Sequence, residues 1–296
     1  NDMQKQAVFC TEGPLLILAG AGSGKTTVLV NRIAYILQCE LCKPWQILAI
    51  TFTNKAAGEL KERICAAVPE GGADIWAATF HSTCARILRR YGDRIGYTSH
   101  FTVYVTDDQK KLVKDILKQL NIAEKTLPVK SILSEISKAK DKMLTPEEMR
   151  KEAEFDSRKA QIAKVYEIYQ TKLKTADAMD FDDMLCNTVK LFETAPDILD
   201  YYRNQFKYIM VDEYQDTNKV QYKFVSLLAS KYGNICVVGD DDQSIYKFRG
   251  ATIENILSFE NTFKNAKMIR LEQNYRSTQN IINAANEDIL CTSVIL

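Results

Sequence analysis

No run of apolar residues in this sequence approaches the ~18–20 that an α-helix needs to cross a bilayer. No basic-then-apolar leader precedes the first apolar segment either. No membrane association is therefore expected, and a cytoplasmic setting is. Net charge is nearly absent as well, at +1 for pH 7. No global field draws the chain to nucleic acid, so any such contact must come from a local groove. The eight cysteines are scattered through apolar segments without framework spacing, which suits reduced thiols. One C-x-x-C, Cys39 and Cys42, has no second pair or His cluster near it in sequence and is a weak metal or redox candidate. An initiator Met is absent at Asn1, and the last residues, Val294-Ile295-Leu296, form an apolar segment with no Gly or Pro terminator and no polar tail. An excised piece of something longer is expected.

What is present suits an ordinary globular chain. Its 296 residues suggest about two domains, and 46% hydrophobic with 26% charged residues gives ample core. The organising stretch is Ala19-Gly20-Ala21-Gly22-Ser23-Gly24-Lys25-Thr26. An apolar run, Leu15-Leu16-Ile17-Leu18, leads into it, and a helix-patterned stretch from Thr27 to Leu37 follows. This is the strand, glycine loop, helix order of a phosphate-binding loop. Glycines let backbone N–H groups turn inward and the helix N-terminus adds positive dipole, so Ala21, Gly22, Ser23 and Gly24 cradle phosphate oxygens. Lys25 then reaches the β/γ-phosphates and the Thr26 hydroxyl ligates Mg²⁺. Ala19 stands where the usual pattern begins with Gly. Upstream, the Gln4 amide lies one short segment before the loop, where paired donor and acceptor bonds can read an adenine edge. A surface glutamine is otherwise merely solvated.

Short apolar runs at Ile47-Leu48-Ala49-Ile50 and Ile75-Trp76-Ala77-Ala78 are each followed by a helical pattern. Strands alternating with helices predict a parallel, doubly wound α/β sheet, whose strand carboxyl ends carry ligands. Phe52, Thr53, Asn54, Phe80 and His81 fall there. A hydroxyl, an amide and aromatic rings together suit a single nucleic-acid strand, although core packing is the plain alternative for either Phe. From Val103 to Ala178 glycine is absent, and Lys and Glu are dense. Apolar residues there recur at helical spacing, as in Leu112, Ile116, Leu117 and Leu120. This predicts an inserted helical domain whose charges form solvated faces. The α/β pattern resumes at Asp180-Phe181-Asp182-Asp183, read as helix-capping carboxylates.

Tyr208-Ile209-Met210-Val211 ends at Asp212-Glu213. Adjacent carboxylates at a strand end call for a cation or a proton between them. With a phosphate loop upstream the cation is Mg²⁺, held by Asp212, while Glu213 polarises the attacking water as general base. A further strand, Ile235-Cys236-Val237-Val238, leads to Gln243, placed to sense the γ-phosphate or to orient the water. Tyr246 and Phe248 alternate there with Lys247 and Arg249 as a stacking platform. Arg276, after Tyr275, is either surface charge or the cation that stabilises the transferring phosphoryl group.

The stretches AGAGSGKT, ITFTNKAA, TFHS, DFDDM, VDEYQDT, VGDDDQSIYKFRGA and LEQNYRS occur in this order. On them the chain, from Asn1 to about Glu287, resembles the superfamily 1 DNA helicases of the UvrD/Rep/PcrA type. The resemblance implies a RecA-like P-loop NTPase sheet with an inserted all-helical subdomain. Residues 1–102 and 179–270 would then make motor domain 1A, 103–178 the helical subdomain 1B, and 271–296 the opening of motor domain 2A. It implies 3′-to-5′ translocation on single-stranded DNA driven by ATP hydrolysis with Mg²⁺, and action on 3′-tailed duplexes beside repair or replication proteins. Gln4 would read adenine and Tyr275 would stack on it. Gln243 and Arg276 would meet the γ-phosphate, and Phe52, Asn54, His81, Tyr246 and Phe248 would line the strand track. Two departures stand out. Thr27 occupies a nucleotide-side position where close relatives usually carry Arg, and Phe248 replaces a common Trp with a smaller ring. Two other classes share the loop: an ATP-binding switch that never turns over, and a P-loop phosphotransferase with an acceptor other than water. The aromatic and basic residues after Gln243 argue against the second.

Overall fold

Unbroken apolar segments become strands covered on both faces by helices, the arrangement a parallel sheet requires. The computed structural model describes residues 1–153, 156–240 and 259–277. Helix α1 (Asp2–Phe9) precedes strand β1 (Leu15–Ala19), and α2 (Lys25–Gln38), β2 (Ile47–Thr51), α3 (Asn54–Ala67), β3 (Trp76–Thr79) and α4 (Phe80–Tyr91) continue the alternation. A short strand β4 (Thr102–Val103) opens a helical segment of α5 (Thr106–Gln119), α6 (Val129–Asp141), α7 (Pro146–Glu152) and α8 (Ser157–Thr175), which β5 (Ala178–Met179) closes. Then come α9 (Phe181–Thr194), α10 (Pro196–Gln205), β6 (Tyr208–Val211), α11 (Lys219–Ala229) and β7 (Ile235–Gly239). A helical turn, Phe259–Thr262, and β8 (Lys267–Leu271) complete the described residues.

The main sheet is parallel throughout its described pairings, in the order β3-β2-β6-β7-β1-β8. Leu15 of β1 sits opposite Cys236 of β7 on one side and Lys267 of β8 on the other. Side chains alternate between faces with the period of two a strand imposes. Leu16, Leu48, Ile50, Ile209, Val211 and Val237 enter one apolar cluster with residues of α4, α9, α10 and α11. Leu15, Ile17, Ala49, Met210, Cys236 and Val238 enter the other, with residues of α2 and α3. The chain crosses from β1 to β2 over the places later filled by β6 and β7. All strand carboxyl ends therefore share one edge, with a topological switch beside β1.

Helices α5 to α8 close around a third apolar cluster, including Val113, Ile116, Ile132, Ile136, Ile162, Tyr166 and Tyr169. The segment enters and leaves through the β4–β5 pair, in which Thr102 faces Ala178 and Val103 faces Met179. Most of its charges lie on solvated faces as expected, but Lys140 does not. Its side chain is 1% exposed, pressed against the first turn of α9. Asp180 and Asp183 do cap that helix, as read from sequence, and they are buried against Lys140 as well. Another buried cation, Arg32 of α2, donates to the carbonyls of Ala7 at 2.9 Å, Thr11 at 3.1 Å and Cys10. It satisfies the end of α1 and fixes that helix beside the loop that follows β1.

Candidate functional site

The loop after β1 owes its shape to two glycines with left-handed backbone, Gly22 at φ 77° and Gly24 at φ 85°. A Cβ on Gly22 would lie 2.7 Å from both the Arg276 Cβ and the Asn274 Oδ1. Glycine is thus required there for conformation and for close approach. Gly24 is the N-cap of α2, with no side chain to occupy the first-turn N–H groups of the helix. Those groups and the helix dipole face outward as an anion site. Ser23 is buried and donates its hydroxyl to the Gly20 carbonyl at 2.7 Å, which holds the loop closed from within.

Lys25 begins α2. Its Nζ sits 3.4 Å from Glu213 Oε2 and 3.4 Å from Asp240 Oδ2. These acids follow two adjacent strands, β6 and β7, so the lysine bridges two strand ends. Asp212 continues the sheet by donating its N–H to the Ile50 carbonyl of β2. Burial pushes the Asp212 carboxyl up to about 6, and the neighbouring Glu213 charge adds to the rise. A bound cation would oppose both effects. Glu213 itself takes a left-handed φ of 50°, and its N–H donates to Asp212 Oδ1 at 3.0 Å. That turn carries its carboxylate toward Lys25 and leaves the Asp212 carboxylate at the strand end.

The residue that joins these acids escaped the sequence reading. Gln215, 3% exposed, donates Nε2 to Glu213 Oε2 at 2.8 Å and accepts the Asp240 N–H at 3.0 Å. Asp240 is likewise marked in the sequence only as the first acid after an apolar strand. A cavity of about 470 Å³ opens beside Lys25, lined by Ala21, Gly22, Gly24, Thr26, Thr27, Glu213, Tyr275 and Arg276. Glu59 and Arg63 of α3 line it as well. They lie one and two turns into a helix whose charges had no evident target in the sequence.

The segment after β8 folds back over the loop. Asn274 Nδ2 donates to the Ala21 carbonyl at 2.9 Å, and the Tyr275 N–H donates to the Gly22 carbonyl at 2.9 Å. Arg276 is thereby brought to the same cavity as Lys25 and Glu213. Gln4 donates Nε2 to the Ser23 carbonyl at 2.9 Å, while its Oε1 accepts from the Asn1 amino group at 3.0 Å. Asn1 in turn donates to the Tyr275 hydroxyl at 2.8 Å. Gln4 and Tyr275 therefore flank one side of the loop together. Each of the two Gln4 bonds uses one of the two Nε2 hydrogens or one of the two Oε1 lone pairs of the amide, so neither has to break for the amide to read a base edge.

Along the same sheet edge, β2 and β3 end in the residues read as strand-binding. Thr53 caps α3, accepting the Ala56 N–H at 3.1 Å, and Asn54 is exposed. Phe52 is half-buried, with its ring 5.4 Å from that of Phe80. Phe80 corrects the sequence expectation. Its ring is 1% exposed and packs between Phe52 and Phe224, so it has no face to offer a base. An exposed aromatic stands nearby instead: Phe181, 46% exposed, lies 5.8 Å ring to ring from His81. In the sequence, position 181 is marked only as part of a helix start. Gln243, Tyr246 and Phe248 lie outside the described residues. Cys39 and Cys42 are free thiols, the first exposed and the second buried.

A family model, that of the UvrD/REP helicase N-terminal domain, matches residues 1–264. The ATP-dependent DNA helicase PcrA of Staphylococcus epidermidis is 55% identical over 289 residues, covering 98% of this chain and 40% of that protein. PcrA of Staphylococcus aureus is 54% identical over 289 residues, again 98% of this chain and 40% of the relative. The chain thus spans 40% of the length of these curated relatives.

Proposed function

The chain belongs to the UvrD/REP helicase family, its parallel α/β body is RecA-like, and on that footing we propose that it is the ATP-binding part of a DNA helicase. The proposed whole protein moves 3′ to 5′ along single-stranded DNA, driven by ATP hydrolysis, and opens 3′-tailed duplexes. The observation that carries the reading is the bridge of Lys25 between Glu213 and Asp240, with Arg276 on the same cavity. A cation held between two acids, beside a helix N-terminus and a second cation, is a place for a polyphosphate undergoing attack by water.

In this reading ATP is the substrate. The backbone N–H groups of Ala21 to Gly24 and the Lys25 ammonium hold its phosphates, and Thr27 borders the nucleotide. Gln4 and Tyr275 take the base. The Thr26 hydroxyl and the Asp212 carboxylate are the donor set for Mg²⁺, hard oxygen ligands that fit this ion. Bound there, Mg²⁺ would neutralise phosphate charge. Glu213 accepts a proton from the attacking water, and Gln215 holds that carboxylate toward the cavity. Arg276 stabilises charge developing on the transferred phosphoryl group, with Gln243 as the γ-phosphate sensor. Phe52, Thr53, Asn54 and His81, joined by Tyr246 and Phe248, form the single-strand track, and Phe181 extends it. Residues 1–102 and 179–270 constitute the first motor domain, 103–178 its helical subdomain, and 271–296 the opening of the second. Among the described residues no helix is long and apolar enough to cross a membrane. The setting we propose is the cytoplasm, alongside repair or replication proteins.

Steady-state ATP hydrolysis with and without oligo-dT tests the proposal, beside Lys25→Ala and Glu213→Gln. Stimulation by the oligonucleotide that both substitutions abolish supports the reading. Nucleotide binding lost in Lys25→Ala but with no turnover under any condition would instead favour an ATP-binding switch. Turnover insensitive to Glu213→Gln would refute the assignment of the base. Strand separation is proposed for a protein of the relatives' full length, since translocation needs a cleft that opens and closes.

A further inference from the structure

The proposed chemistry leaves one buried ionic cluster without a task. It lies where the helical segment meets the sheet body. Lys140, in the last turn of α6, places Nζ 2.6 Å from Asp180 Oδ2 and 2.8 Å from Asp183 Oδ1. The lysine and two aspartate side chains are 1%, 5% and 3% exposed. From α8, the Tyr169 hydroxyl donates to Asp180 Oδ2 at 3.0 Å and Gln170 Nε2 donates to Asp183 Oδ1 at 2.9 Å. The remaining oxygens serve the helix itself. Asp180 Oδ1 accepts the Asp183 N–H at 2.8 Å, and Asp183 Oδ2 accepts the Asp180 N–H at 3.1 Å. Every carboxylate oxygen of the pair is thus satisfied, as burial demands.

One cation faces two carboxylates, so the cluster carries a net negative charge as drawn. Burial by itself lowers the lysine, but attraction to Asp183 and Asp180 outweighs it and holds the ammonium well above its usual range. Without Lys140 the two acids would repel one another in a dry site unless one took up a proton, and the turn they close would lose its tie to α6. The next residue makes a parallel link: Asp141 Oδ1 accepts Asn218 Nδ2 at 2.6 Å, and Asn218 caps α11. The end of α6 is therefore anchored to the starts of both α9 and α11.

Phe181 projects from the turn that Lys140 holds. It follows the cap Asp180 directly, yet it is 46% exposed while Asp180 and Asp183 are buried. An exposed ring on a rigidly bonded turn, 5.8 Å from His81, is pre-organised to stack on a base. We infer that Lys140 is a positioning residue for single-strand binding: by closing the Asp180–Asp183 turn from the helical segment, it fixes the Phe181 ring beside His81. The inference rests on the reading of the His81 edge as a single-strand track.

The test is oligo-dT affinity, by fluorescence anisotropy, for Phe181→Ala, Lys140→Met, Asp183→Ala and the pairs of each with Phe181→Ala. Labelled-ATP affinity is measured beside it, and circular dichroism confirms folding. Asp183→Ala serves if Lys140→Met does not fold, because it leaves Lys140 paired with Asp180 while removing the bond back to the Asp180 N–H. Phe181→Ala should weaken oligo-dT binding roughly ten-fold, the effect of losing one base stack. A folded Lys140→Met or Asp183→Ala chain should lose about as much, keep its ATP affinity, and add little when combined with Phe181→Ala. Wild-type oligo-dT affinity in a folded Lys140→Met or Asp183→Ala chain, an equal fall in ATP affinity, or losses that add to that of Phe181→Ala would overturn the inference. Wild-type affinity in Phe181→Ala would instead sink the single-strand reading of this edge.

Discussion

Replacing Gln215 by Leu isolates the polar link between the two acidic strand ends. The side chain is 3% exposed, and Leu is close to it in volume, so little cavity forms. Two bonds are lost and their costs differ. The Asp240 N–H, which Gln215 Oε1 accepts at 3.0 Å, is buried with its residue at 1% exposed. Left without an acceptor, it costs ~1–3 kcal/mol. The Glu213 carboxylate loses the 2.8 Å donor bond, but its side chain is 39% exposed. Water can replace that donor, so the second loss is discounted to less than about 1 kcal/mol. The expected total is about 2 kcal/mol of stability, a large fraction of the margin of an ordinary domain. Urea unfolding followed by circular dichroism measures it, with the midpoint shifted and the slope against denaturant unchanged. Glu213, no longer held toward the cavity, should also lose catalytic rate while ATP affinity is kept. A stability change below about 0.5 kcal/mol, the range of ordinary surface substitutions, would refute the claim that Gln215 ties the two strand ends together.

Two further outcomes are expected. Asp212→Asn should stabilise the chain in magnesium-free buffer at pH 8. The Asp212 carboxyl, at about 6, lies above its ordinary value, so its ionisation penalises the folded state above pH 6 and not below pH 4. The gain is at most about 3 kcal/mol at neutral pH, and thermal melts from pH 4 to 8 should show it vanish on acidification. A gain independent of pH contradicts the assignment. Gly22→Ala puts a methyl 2.7 Å from the Arg276 Cβ and Asn274 Oδ1, in a left-handed conformation that costs Ala ~1–2 kcal/mol. The 274–276 segment must back away, so trypsin should cut after Arg276 faster and ATP affinity should fall. An unchanged cleavage rate would show that the segment does not rest on the loop.

What the sequence disclosed is what local chemistry decides. Four consecutive apolar residues before Gly20, or before Asp212, bounded by turn residues, read as a buried strand, and the loop with left-handed backbone at residues 22 and 24 carries glycine at both. The residues that escaped the reading are those whose role depends on a distant partner. Lys140 looks like any lysine of a solvated helix until Asp180 and Asp183 close on it. Arg32 looks exposed until three carbonyls at the end of α1 surround it. Gln215 has no visible purpose until β7 brings Asp240 alongside β6. The burial of Phe80 and the exposure of Phe181 were hidden for the same reason: ring type is written in the sequence, but which ring the core takes is settled by Phe224 and by the Lys140 cluster.

Strand order supplies the last connection between the two halves of the proposed activity. The proposed nucleotide residues follow β1, β6 and β7, and the proposed strand-binding residues follow β2 and β3. β6 and β2 are neighbours, and the Asp212 N–H donates directly to the Ile50 carbonyl. Phe52 is two residues beyond that carbonyl, and Thr53 caps the helix that carries Glu59 and Arg63 into the cavity beside Lys25. A displacement of the Asp212–Glu213 turn therefore has one hydrogen bond and two residues to travel before it reaches the single-strand edge. Helix α3 offers a second route of equal directness, since its first turn follows Phe52 and its later turns face the nucleotide. Two short routes thus join the proposed nucleotide cavity to the proposed single-strand edge within one sheet.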